Sequence, residues 1–339
     1  MSIDFSNLKQ TVQTLFEKGA VQNLAIRVGV YDELLFEEYR SVDSRLNSRT
    51  LFDMASVTKI LSTTMLSLIA FDRGLFRLED RAASFFPEYP CRSDATVQDL
   101  LTHRCGVGHL LVPDLCAAPE DGIAGILAAL PSGGPFDVQY SCPAFILLGR
   151  ILEKLFGMRL DRCFRELVTE PLGMHMTTYC PDRRQKFVNN NADILDLGIV
   201  ADENCRWLGG IEGNAGAFSN MEDLTVFVKM LLAHGAPLVS RPLFDKAIQN
   251  HTPGCSQSRG LGFRMADELE PQAAGLFPNG FGHCGHTGQS VYLSPDTGLW
   301  VIILSDATAM TQRRTPKGAY SEVMQMRTQL HSAIREDLA

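Results

Sequence analysis

The spacing of apolar and polar positions changes along the chain, and these changes predict where helices and strands lie. Residues 5–18 place apolar side chains on one side at helical spacing, which predicts an amphipathic helix. Residues 24–31 and 34–39 are rich in β-branched and aromatic side chains, which is typical of strands. The polar pair Asp32-Glu33 joins them, so these runs predict a β-hairpin.

The longest apolar helix signal lies in residues 51–72, LFDMASVTKILSTTMLSLIAFD. Leu61, Met65 and Ile69 fall at helical spacing, and most of their neighbours are apolar as well. This pattern predicts a helix that is buried on most sides. Ser56 and Lys59 stand at its predicted start, in the order Ser-Val-Thr-Lys.

After residue 74 the chain changes to short helical segments separated by Pro and Gly, and strand patterns return near its end. Helices are predicted over residues 96–103, 122–130, 142–156, 159–168, 221–234, 242–250 and 320–336. Strands are predicted over residues 260–265, 290–294 and 299–305, with turn chemistry at Pro295-Asp-Thr-Gly298 between the last two.

Strands near both ends and helices between them predict an α+β fold. One antiparallel sheet would be built from both termini, flanked by helices, and would carry an inserted, mainly helical lobe. Because 339 residues exceed the usual size of one hydrophobic core, we expect a sheet lobe of residues 1–72 and 200–339 and a helical lobe of residues 73–199. The helix that begins at Ser56 would lie between the lobes, where sites tend to form.

Composition and charge narrow the classes of function. The net charge of −8 argues against nucleic acid or an anionic membrane as a partner. The nine cysteines are scattered without a Cys-x-x-Cys pair, which indicates reduced thiols rather than a zinc knuckle or a redox pair. The first twenty residues lack a signal-peptide pattern, and no apolar run approaches the ~20 residues of a membrane span. We therefore expect a cytoplasmic protein. No His, Asp or Glu cluster has metal-ligand spacing, so neither a metal nor a cofactor is expected.

Ser56 and Lys59 have the spacing of a nucleophile and its base. A lysine three residues after a serine lies on the same helix face, and desolvation against an apolar helix disfavours its ammonium form. A neutral amine beside a hydroxyl can act as a general base. The pattern has only two fixed positions, and it occurs again at Ser6 and Lys9. Taken alone, it is also typical of a helix cap followed by a lysine that reaches solvent.

Two further motifs favour the interpretation of Ser56 and Lys59 as a catalytic pair. They are Tyr140-Ser-Cys142, ahead of a predicted helix, and His286-Thr-Gly288, ahead of a predicted strand. With Ser56-Val-Thr-Lys59 they resemble the penicillin-recognising serine hydrolases of the class C β-lactamase and DD-peptidase type, which include family VIII esterases. That family carries Ser-x-x-Lys, Tyr-x-Asn and Lys/His-Thr-Gly in this order. The resemblance covers about residues 20–330, includes DLLTHRCG at 99–106, and implies a β-lactamase/transpeptidase-like fold.

The resemblance also implies roles for the catalytic residues. Ser56 would attack a carbonyl and become acylated, while Lys59 and Tyr140 would share the proton as base and acid. The backbone N–H groups of Ser56 and Gln289 would form the oxyanion hole.

The remaining predicted site residues would contact the substrate. Gly288 would allow close approach of the backbone, and Thr287 and Cys142 would lie beside the substrate. His286 would help to place Tyr140 or a substrate carboxylate. His103, Thr102 and His283, in contrast, are interpreted as structural.

The chain departs from the family pattern at two positions. Cys142 replaces the Asn that usually binds the substrate's amide side chain, and a thiol is a weak donor. His286 stands where strong β-lactamases have Lys, and a neutral imidazole holds a carboxylate less firmly. Both departures favour hydrolysis of a small ester or amide, or of a peptide, over β-lactamase activity.

Two alternatives stay open on the sequence. The first is a DD-peptidase or class C β-lactamase. The second is a non-catalytic ligand sensor that is acylated and then stays acylated. An α/β-hydrolase is excluded because the chain has no Gly-x-Ser-x-Gly elbow.

Overall fold

The structure is a computed structural model that describes residues 3–43, 46–188, 198–314 and 319–339. Its strands are β1 Asn23–Val30, β2 Glu33–Ser41, β3 Phe52–Asp53, β4 Phe218–Ser219, β5 Arg264–Met265, β6 Phe281–Cys284, β7 Ser290–Leu293 and β8 Leu299–Ser305. Its α-helices are α1 Ser6–Glu17, α2 Met65–Asp72, α3 Val97–Leu101, α4 Gly122–Ala129, α5 Cys142–Phe156, α6 Leu160–Phe164, α7 Glu170–Leu172, α8 Glu203–Trp207, α9 Met221–Leu232, α10 Arg241–Ala247, α11 Ala307–Arg314 and α12 Ala319–Leu338.

One six-stranded sheet combines strands from both ends of the chain. Its order is β2-β1-β8-β7-β6-β5, and every neighbouring pair is antiparallel. The two ends of the chain meet where β1 pairs with β8, with Ile26 opposite Ile303. The predicted α+β fold with a sheet built from both termini is therefore confirmed.

Alternating side chains of the central strands supply two hydrophobic cores, one on each face of the sheet. Ile26 and Ile303 pack into a core shared with α1 and α12. Ile302 and Leu304 point the other way, into a larger core shared with α2, α5 and α9. This larger core therefore includes α2 and residues of the turn that precedes it, on one side of the sheet.

Short helices occupy most of the middle of the chain, from α3 to α7, and α5 is the longest of them. Residues 189–197 of the predicted helical lobe lie outside the described residues. The division into lobes at residues 72/73 and 199/200 stays a prediction.

The structure corrects two strand predictions. The strand predicted over residues 260–265 is reduced to β5, because Gly262 adopts a φ of +85° and the Gly260 N–H donates to the Phe263 carbonyl at 3.0 Å, which closes a turn. Strand β6 was not predicted, because Phe-Gly-His-Cys is short and lacks alternation. It is buried because β5 and β7 pair with it on both edges.

Candidate active site

A tight turn between β3 and α2 carries Ser56. Ala55 adopts a left-handed φ of +44°, and its N–H donates to Asp53 Oδ1 at 2.7 Å. The second carboxylate oxygen of Asp53 accepts from the Ala201 N–H at 2.6 Å, so the turn is fixed from two sides. Burial raises the pKa of Asp53 to about 6, although these N–H donors act in the opposite direction.

The prediction of one regular α-helix from Ser56 onward is wrong at its start. Ala55–Val57 form a 3₁₀ turn, Lys59–Thr64 form a π-helical turn, and the α-helix begins only at Met65. The left-handed φ of Ala55 is incompatible with a regular α-helix, and Asp53 binds the Ala55 N–H in this turn. The segment is nevertheless buried on most sides, as predicted.

Lys59 is fully buried, and all three of its ammonium donors have acceptors. Its Nζ donates to Ser56 Oγ at 3.2 Å, to the Asn214 carbonyl at 2.9 Å and to Cys142 Sγ at 3.7 Å. An ammonium group has three donors and no acceptor, so this arrangement fits the protonated form.

The pKa of Lys59 agrees with that geometry. Burial is the largest influence and lowers it, but the ionisable Cys142 and Tyr140 together act in the other direction, and the pKa lies above its ordinary value. The expectation that burial leaves Lys59 as a free amine is wrong for the resting site. For Tyr140 and Cys142, burial raises the pKa, and the charge of Lys59 acts in the opposite direction in both cases. The resting site therefore holds an ammonium, a phenol and a thiol.

The Tyr140 ring lies beside Lys59, with Nζ 4.9 Å from the ring centroid. The ring is partly exposed. Burial raises the pKa of the Tyr140 phenol above its ordinary value, and the charge of Lys59 is the largest influence in the opposite direction. The structure thus brings Ser56, Lys59, Tyr140 and Cys142 together.

His103 anchors the backbone on both sides of Tyr140. Its carbonyl accepts from the Gln139 N–H at 2.9 Å, and its Nδ1 accepts from the Ser141 N–H at 3.0 Å. Nδ1 is therefore unprotonated and Nε2 carries the hydrogen in the neutral ring. Burial, followed by the positive charges of Arg259 and Lys59, holds the pKa of His103 well below its ordinary value. Ser141 caps α5 by accepting from the Ala144 N–H at 3.1 Å, so Tyr140 directly precedes a fixed helix start.

The third motif is clamped onto the Ser56 turn. Thr287 Oγ1 and Gln289 Nε2 both donate to the Asp53 carbonyl, at 3.1 and 2.8 Å. Gly285 approaches so closely that a Cβ there would lie 2.6 Å from the Met54 carbonyl oxygen. Gly288 has a φ of +115°, which favours glycine, and this conformation turns the chain into β7.

His286 and His283 differ in setting. The His286 side chain is exposed, and its pKa lies below the ordinary value because of desolvation and then the charge of Arg327. His283 is buried in β6, and its Nδ1 lies 2.8 Å from the Cys284 carbonyl. Its ring centroid lies 6.0 Å from that of Tyr140. The role of His286 in placing Tyr140 or a carboxylate stays a prediction.

Sequence reasoning missed several groups around the site. The Asn214 carbonyl that binds Lys59 is held in place because Asn214 Nδ2 donates to Asp202 at 2.9 Å. Asp202 also caps α8 through the Cys205 N–H at 2.8 Å. A backbone carbonyl has no sequence signature, so the motifs did not indicate Asn214.

The comparison with known families decides the class. The model of the family described as Beta-lactamase matches residues 8–321. The chain belongs to the beta-lactamase family. The Escherichia coli (strain K12) protein named "Putative D-alanyl-D-alanine carboxypeptidase" is 27% identical over 306 residues, which are 76% of this chain and 69% of that protein.

Solved structures of other proteins share the fold. EstCE1, described as a hydrolase with promiscuous acyltransferase activity, superposes with a TM-score of 0.76 at 17% identity and covers 96% of this chain and 97% of its own. A class C beta-lactamase from Rhodobacter sphaeroides gives a TM-score of 0.71 at 17% identity, covering 94% and 98%. The chain is thus a beta-lactamase-fold member of a family of serine hydrolases.

The described residues contain no metal cluster, membrane-spanning helix or disulfide bond. In the part of the chain that the structure describes, no cluster of three or more His, Cys, Asp or Glu side chains is placed to hold a metal ion. None of the described helices is long and apolar enough to cross a membrane. All nine cysteines lie within the described residues, and each is free of disulfide bonds.

Proposed function

We propose that this protein is a serine hydrolase that cleaves a small ester or amide through an acyl-enzyme at Ser56. The observation that carries the proposal is the buried contact between Lys59 Nζ and Ser56 Oγ at 3.2 Å, with the Tyr140 ring beside the same ammonium. A hydroxyl held against two proton-carrying groups is the arrangement that nucleophilic catalysis requires.

The protonation states of Lys59 and Tyr140 define the active form. With Lys59 as ammonium and Tyr140 as phenol, neither group can accept the Ser56 proton. One proton must leave the Lys59–Tyr140 pair first, and because the two groups are in contact this loss belongs to the pair. The rate should therefore rise with pH through one apparent pKa of the pair.

Each chemical step then balances. The deprotonated pair takes the proton of Ser56 Oγ as this oxygen forms a bond to the substrate carbonyl carbon. The N–H groups of Ser56 and Gln289 stabilise the oxyanion. The bond to the leaving alcohol or amine breaks as that group takes a proton from Tyr140. Water then releases the acid by the same steps, and Ser56 regains its proton.

Cys142 supports an ester or a simple amide as substrate. Its sulfur lies 3.7 Å from Lys59 Nζ at the first residue of α5. A protonated thiol offers a substrate amide side chain only a weak donor. Simple esters do not require that contact.

A second candidate is a DD-peptidase. It is favoured by the name of the Escherichia coli relative and by the exposed His286, which could meet a substrate carboxylate. A panel of p-nitrophenyl esters, aminoacyl amides, D-Ala-D-Ala peptides and nitrocefin distinguishes the two. Turnover of esters supports the first proposal, and exclusive turnover of D-Ala-D-Ala peptides supports the second. One equivalent of label at Ser56 without any turnover would indicate the acylated sensor instead.

A further inference from the structure

Arg259 is a buried cation that no described carboxylate pairs with. The residue is 1% exposed, and its Nε and NH1 atoms are buried without a hydrogen-bond partner among the described residues. Its other terminal nitrogen donates to Gln257 Oε1 at 2.5 Å. The nearby Glu270 is bound by Arg264 at 2.7 Å. Burial of a guanidinium with so few partners lowers the stability of the fold. Its presence here therefore suggests a role other than stabilisation.

The backbone bonds of Arg259 do not explain its side chain. Its N–H donates to Thr252 Oγ1 at 2.9 Å, and its carbonyl accepts from the His251 N–H at 2.7 Å. Any residue except proline could make both bonds. They hold the backbone of Arg259 in place.

The side chain lies beside Tyr140. Arg259 Cζ is 5.8 Å from the centroid of the Tyr140 ring, within the range of a cation–π contact. Burial, followed by the repulsion from Arg264, lowers the pKa of Arg259 to about 10, so the group remains charged near neutral pH.

Apart from Lys59, the other described groups around the Tyr140 ring do not supply a positive charge like that of Arg259. Lys59 approaches from the π-helical turn, and Cys142 follows Tyr140 on α5. His103 and His283 pack against the ring at 4.8 and 6.0 Å. Burial holds the pKa values of both imidazoles well below the ordinary range, so both rings are neutral. Among the described residues, the cations in contact with the ring are thus Lys59 on one element and Arg259 on another.

We propose that Arg259 is a positioning residue for Tyr140, which holds the ring in place and supplies a second positive charge that favours the deprotonated Lys59–Tyr140 pair. The proposal rests on the proposed function, because it assigns Arg259 a role only through Tyr140. The guanidinium stabilises a phenolate by charge and contacts the neutral phenol through its ring face.

The test measures the second-order rate at which an uncharged fluorophosphonate labels Ser56, as a function of pH. Removing the charge in Arg259→Met should move the rising limb of this profile upward by about one to two pH units, as expected for unit charges about 6 Å apart at an effective dielectric constant of about 20–40. Arg259→Lys should restore most of the shift. Arg150→Met, which removes the contact between Arg150 on α5 and the buried Glu212, should lower stability without moving the limb.

The outcomes separate the alternatives. If Arg259 binds an anionic substrate group instead, Arg259→Met will raise KM for carboxylate-bearing substrates and leave the labelling profile unchanged, which overturns the proposal. If Arg259→Met does not fold, Arg259→Gln replaces it. If neither variant folds, Arg259→Lys remains as the test. Because this variant retains the charge, a rising limb that moves upward by a full pH unit would contradict the proposal. Wild-type protein that is not labelled at Ser56 would refute the proposed function and not the assignment of Arg259 alone.

Discussion

Gly285 offers a sharp test of how the third motif and the Ser56 turn are fitted together. A Cβ at this position would lie 2.6 Å from the Met54 carbonyl oxygen and 3.5 Å from Ala55 Cβ. Nonbonded contacts to carbon are most favourable at roughly 3.5–4.0 Å, so Gly285→Ala must separate the two segments by roughly half an ångström or more.

The surroundings of Gly285 make that movement difficult. Its N–H donates to the Gln289 carbonyl at 2.9 Å, and its carbonyl accepts from the buried Arg327. The separation would therefore move Gln289, whose N–H we assign to the oxyanion hole, away from Ser56. Overpacking of this kind destabilises by about 1–3 kcal/mol. Since a 1 Å misplacement can lower activity by about 10²-fold, we expect kcat/KM to fall by about 10- to 100-fold.

The assay compares Tm and the kcat/KM for p-nitrophenyl butyrate in wild-type protein, Gly285→Ala and Gly108→Ala. Gly108→Ala is the control, because its new Cβ would meet Gln139 Oε1 at 3.6 Å, an ordinary contact. We expect the control to keep both values. Wild-type kcat/KM in folded Gly285→Ala would refute the reasoning that this close approach aligns the site.

Three further predictions follow from the site and its surroundings. Lys59→Ala and Tyr140→Phe should each lower kcat by about 10²–10⁴-fold, and the double variant should lose far less than the product; near-wild-type kcat in either single variant would show that the pair is wrong. Cys142→Asn should raise the ratio of kcat/KM for an acylaminoacyl amide to that for p-nitrophenyl butyrate by about 2- to 12-fold through one recovered hydrogen bond, and an unchanged ratio would contradict it. Burial, opposed by the charge of Arg150, raises the pKa of the Glu212 carboxyl to about 8. Because this pKa lies above the ordinary value near 4.5, the protonated carboxyl contributes fully to the free energy of unfolding below pH 4.5. That contribution is lost as the pH rises through 8. The fall in Tm between pH 5 and pH 8.5 should therefore be steeper in wild-type protein than in Glu212→Gln, and equal slopes would argue against this.

Local patterns predicted the elements whose signals lie within a few residues. The strand β8 matches its predicted bounds, and the turn at Pro295–Gly298 joins it to β7 as expected, with Gly298 at a φ of +70°. Helix α5 also matches, because Ser141 caps it and Gly157 ends it in a left-handed conformation. These elements need no distant partner to be defined.

The features that escaped prediction depend on contacts between distant parts of the chain. The left-handed Ala55 lies in a turn that Asp53 fixes, because one carboxylate oxygen binds the Ala55 N–H and the other binds the N–H of the distant Ala201. The charge state of Lys59 depends on Cys142 and Tyr140, which are more than 80 residues away in sequence. No pattern of periodicity contains these contacts.

The same holds within the site. The motifs indicated Ser56, Lys59 and Tyr140 because a resemblance supplied their order. The Asn214 carbonyl and the buried Arg259 have no such motif, and only the folded chain brings them to Lys59 and Tyr140.

The most direct test of the account is the site of covalent labelling. Wild-type protein is incubated with a fluorophosphonate, digested and analysed by mass spectrometry, with Ser56→Ala treated in parallel. We predict one equivalent of adduct, confined to the peptide that contains Ser56, and no adduct in Ser56→Ala. An adduct on another serine, or labelling that persists in Ser56→Ala, would contradict the claim that Ser56 is the nucleophile.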